Sequence, residues 1–76
     1  MNNKLLSFEL RDSGEEIEIH CNEEGLDALI HYLEIVKHHK THEHLFSDEW
    51  GGNELTSEVQ GAGNKLVNKV TIRYWE

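Results

Sequence analysis

The stretch Glu15–Lys40, EEIEIHCNEEGLDALIHYLEIVKHHK, decides the fold, because its hydrophobic period changes partway along. Ile17, Ile19 and Cys21 alternate with Glu16, Glu18 and His20, the period of two that marks a half-buried strand. From Asn22 onward Leu26, Leu29, Ile30, Leu33 and Val36 fall at the i, i+3, i+4, i+7 spacing of one helical face. The ends of that helix are written in its charges. Asn22 can cap the first free amides, Glu23, Glu24 and Asp27 sit at the positive end of the dipole, and Lys37, His38, His39 and Lys40 at the negative end. Gly25 costs little in a first turn and allows close packing there.

Working outward, KLLSFELR (residues 4–11) alternates Leu6, Phe8 and Leu10 with Ser7, Glu9 and Arg11, and Asp12-Ser13-Gly14 has the chemistry of a hairpin loop. Downstream, residues 42–46 form a short third strand. Residues 54–60 read either as a helical turn or as a strand end, and Gly61-Ala62-Gly63-Asn64 reads as a turn. The closing strand places Leu66, Val70, Ile72 and Tyr74 on one side, and Val67, Thr71, Arg73 and Trp75 on the other. One helix and about four strands in ββαββ order predict a two-layer α+β domain spanning residues 1–76, with the helix packed on one sheet face. The sheet is mostly antiparallel, and the helical crossover leaves a mixed sheet open. The second sheet face, carrying Glu9, Arg11, Glu16, Glu18, His20, Arg73 and Trp75, is expected to be solvated.

Fifteen Asp and Glu against seven Lys and Arg give a net charge of −8. Such a chain repels nucleic acid and anionic membranes, so neither is expected as a partner; a basic protein surface is. A single Cys21 permits no internal disulfide, the N-terminal residues do not resemble a cleavable signal, and no apolar run is long enough to span a bilayer, all of which predict a cytoplasmic protein.

The run His44-Leu45-Phe46-Ser47-Asp48-Glu49-Trp50-Gly51-Gly52-Asn53-Glu54-Leu55 resembles the pattern of the immunity protein 32 family of bacterial polymorphic toxin systems: HL, then WGG, a small residue and EL. The likeness extends more loosely over most of the chain. It implies a small cytoplasmic antidote that binds and neutralises a cognate toxin, and it brings no catalytic residues with it.

Within that run Asp48, Glu49, Trp50 and Glu54 combine steering charge with an aromatic anchor, which makes them the expected toxin-binding residues together with Trp75 on the open sheet face. Gly51 and Gly52 are the expected structural turn. No phosphate loop, nucleophile elbow or HExxH pattern is present, so neither catalysis nor a cofactor is expected. Two other readings compete. His38, His42 and His44 have residue types suited to a transition metal, although His38 and His42 share a face only if the helix continues, and His42 and His44 only if it has ended. An exposed strand edge would alternatively make the chain a homodimerising structural module.

Overall fold

The structure, a computed structural model, describes residues 3–76. Five strands and one helix follow in the order β1 (Leu6–Leu10), β2 (Ile17–Cys21), α1 (Glu23–His39), β3 (His42–Phe46), β4 (Lys65–Leu66) and β5 (Lys69–Arg73), with a 3₁₀ turn at Asp48–Trp50 after β3. The α+β class and the helix-on-sheet arrangement are as the periodicities predict. The closing strand, by contrast, is broken at Val67-Asn68, so that its first part joins a sheet ordered β2-β1-β4 and its second joins a β3-β5 pair. All strand pairings are antiparallel; the parallel element is an isolated bridge between Ser47 and Leu55.

Residues 55–56 link the two sheets. Thr56 donates its amide to the Leu6 carbonyl at 2.7 Å, while Leu55 donates to Phe46 at 3.1 Å. The segment that sequence left between helix and strand is therefore the seam of the sheet.

The Asn22 side chain accepts from the Gly25 amide at 2.9 Å, and it also accepts from the Leu5 amide at 3.0 Å, so one cap holds both the helix start and the first strand. A Cβ on Gly25 would overlap the Leu5 carbonyl, so the first helical turn lies directly on β1. At the other end Lys40 takes a left-handed conformation (φ 50°) and closes the helix.

Leu6, Leu45 and Leu55 form the buried core cluster, with Leu29, Tyr32, Val70 and Ile72 packed against it. Two expectations fail here. Of the predicted apolar stripe, Leu29 and Val36 face inward beside Gly25 and Tyr32, whereas Leu26, Ile30 and Leu33 are about half exposed, because a helix seated over one end of the sheet buries only one flank of its stripe. The second sheet face is not solvated throughout either: Ser7 and Glu9 are fully buried, while Ile17 and Ile19 of the supposed core face are 61% and 50% exposed.

Candidate functional site

The residues expected to contact a toxin are built on the return from β3. Ser47 accepts amides from Trp50 at 3.0 Å and Gly52 at 2.9 Å, which curls Asp48–Trp50 into the 3₁₀ turn. Gly51 then takes φ 87°, a conformation that costs other residues energy. Gly52 lies flat on Phe46, where a Cβ would overlap both the Phe46 Cβ and its carbonyl. The turn projects Asp48, Glu49 and Trp50, and Trp50 is 59% exposed rather than filling the core.

The other two expected contact residues are elsewhere or otherwise employed. Glu54 is half-buried and accepts the Phe46 amide at 2.9 Å, bracing the turn from beneath. Trp75 is 83% exposed but follows Arg73, which pairs with His42 at the opposite end of β3 from the turn. Asp48 accepts the Ser57 hydroxyl, at the side of an open groove of about 370 Å³ lined by Lys4, Asp48, Asn53, Leu55, Thr56, Ser57 and Glu58.

The histidines divide as the helix cap dictates. His38 remains on the last turn of α1, whereas His42 and His44 share a face of β3 with ring centroids 4.9 Å apart. His44 bonds Thr71 at 3.0 Å, and partial loss of water, together with Lys69, His42 and Arg73, holds its imidazole below the usual value. His38, His42 and His44 are not a convergent set.

Convergence occurs instead around Glu9, Glu18 and His20, whose ligand atoms lie within 4.8 Å of one another. Burial alone would push the Glu9 carboxyl up, but hydrogen bonds from the Ser7 hydroxyl (2.6 Å), Asn64 Nδ2 (2.9 Å) and the amides of Gln60 (2.8 Å) and Gly61 (2.9 Å) outweigh it and hold the pKa at about 2. Glu18 is also held low, chiefly by His20 Nε2 at 2.8 Å and then by Asn64 at 3.1 Å. Asn64 Nδ2 donates to both carboxylates, so its amide stands between the two oxygens that a cation would use. The cluster is a closed hydrogen-bond network fastening residues 60–64 across the hairpin. Period-two alternation could not reveal it, since the loop that supplies the donors lies more than fifty residues from Glu9.

A protein-family model, immunity protein 32, matches residues 16–70. The chain belongs to the immunity protein 32 family, and the partner such a family implies is a toxin. No curated protein and no solved structure matches the chain.

Proposed function

We propose that this protein is a cytoplasmic antidote that neutralises a cognate bacterial toxin by binding it, without catalysis and without a cofactor. The family match over residues 16–70 carries the reading. The net charge of −8 supports a toxin with a basic surface, because excess carboxylates raise the rate of encounter with a cation-rich partner. Asp48, Glu49 and Trp50 contribute contacts from the 3₁₀ turn, Glu54 supports them, and Trp75 is a separate exposed ring at the far end of β5. With a basic cognate toxin, association slows as salt shortens the Debye length from about 30 Å at 0.01 M to about 10 Å at 0.1 M. Cells expressing that toxin survive when this protein is co-expressed. A purified pair that neither associates nor protects would overturn the reading.

A further inference from the structure

A turn that offers two exposed acids and one ring is small beside the roughly 800 Å² per partner of a stable protein interface. The structure holds a larger unpartnered surface on the helix side. Leu6 and Phe8 turn their backbone groups toward Thr56 and Val67, and Leu5 and Arg11 turn theirs toward β2. Viewed from the helix with β1 running upward, β2 therefore lies to its left, and the helix crosses rightward from the Leu5 end, touching β1, β2, β3 and β5. A right-handed helix on that course turns Leu26, Ile30 and Leu33 toward the uncovered upper half of the sheet, where Ile17 and Ile19 form an open floor with Phe8 and Leu10.

The margin of this surface is also open. Glu16 and Asn22 bond inward to β1, so the alternating groups of Ile17, Ile19 and Cys21 point outward, and among the described residues β2 pairs with β1 alone. Acidic residues stand at both ends: Asp12, Glu15 and Glu16 on the hairpin, and Glu23, Glu24 and Asp27 on the first turns of α1.

We infer that the face made by Ile17, Ile19, Leu26, Ile30 and Leu33, with the free β2 edge, is the principal docking surface for the toxin. It takes a basic, apolar-anchored element laid along that edge. This rests on the antidote reading and names where the partner's apolar anchors go. The charges select the occupant. A second copy paired antiparallel about Ile19 would bring Glu15 opposite Glu23 twice by symmetry, which disfavours self-association, whereas cations at the two ends of an inserted element meet acids at both.

The test uses as its probe an inactivated form of the cognate toxin, sought in the open reading frame beside this protein's gene, titrated against the wild type, an Ile19→Lys/Ile30→Lys double variant and an Asp48→Asn/Trp50→Ala double variant. Both isoleucines are half exposed, so the lysine variant keeps its melting temperature. The docking surface predicts a rise in Kd of about 100-fold or more for the lysine variant, as for loss of a central anchor, against less than about 10-fold for the turn variant. In the unmodified protein, hydrogen exchange at the Ile17, Ile19 and Cys21 amides should slow on toxin binding. Tight binding by the lysine variant, with those amides unprotected in the wild-type complex, overturns the inference and leaves the antidote reading standing. No binding by the wild type overturns both. A wild-type mass of two copies that falls to one in the lysine variant overturns the choice of occupant.

Discussion

Each face of the β1–β2 hairpin has a part that is buried in the opposite sense to its composition. Ser7 and Glu9 on the polar face are sealed, while Ile17 and Ile19 on the apolar face are half open. Glu9 is sealed because residues 60–64 cross this face and supply three donors to its carboxylate, and the Ser7 hydroxyl supplies the fourth. The apolar face is open because a single helix, fixed at Leu5 by Gly25 and the Asn22 cap, covers one end of the sheet and leaves the other. Alternation therefore tells which residues share a face, but the elements packed on that face decide whether it is dry.

The largest effect is expected at Glu9. Glu9→Ala strands the Gln60 and Gly61 amides, Asn64 and Ser7, and should destabilise the domain by about 3–5 kcal/mol in chemical denaturation, as for loss of one partner in a buried charged network. In a domain of 76 residues this approaches the whole stability. A cost below about 1 kcal/mol would mean that residues 60–64 do not seal the face.

Next in size are the core leucines. Leu45→Ala removes a fully buried side chain and should cost about 2–5 kcal/mol, whereas Leu33→Ala, at 47% exposure, should cost less than about 1 kcal/mol. Equal losses at the two positions would show that the helix covers more of the sheet than described.

A third effect is linked to pH. The Glu9 pKa is 4.5 ordinarily and about 2 in the folded protein, so ionised Glu9 stabilises the fold fully above 4.5, and that contribution, on the order of 3 kcal/mol, is lost as pH falls from 4.5 through about 2. Glu18, also held low, adds loss in the same direction. Replacing Glu9 with Gln should flatten this part of the stability–pH curve; an unchanged slope would assign the acid sensitivity to other carboxylates. The smallest effect is at Ile17: Ile17→Thr on the open face should move stability by no more than about 0.5 kcal/mol.

Much of this was legible from spacing. The switch from period two to i, i+3, i+4 placed β2 and α1, the Asn22 cap marked the helix start, and Gly51-Gly52 marked the bend that projects Trp50. The break of the closing strand at Asn68 was not legible, because Leu66 and Val70 keep a common parity through it, and only the pairing of Ser47 with Asn68 shows the chain crossing the end of β3. The site residues divided similarly. Asp48, Glu49 and Trp50 are exposed together because they are neighbours in sequence, while the role of Glu54 beneath them and the distance to Trp75 are tertiary facts.

The most direct test of the inverted hairpin is a carbon-detected NMR titration of the Glu9 carboxyl between pH 6 and pH 1.5. Glu9 should stay ionised well below 4.5 and take up its proton near 2, as the fold is lost. A Glu9 that titrates near 4.5 in the still-folded protein would contradict it, for the carboxylate would then be in water and the polar face open.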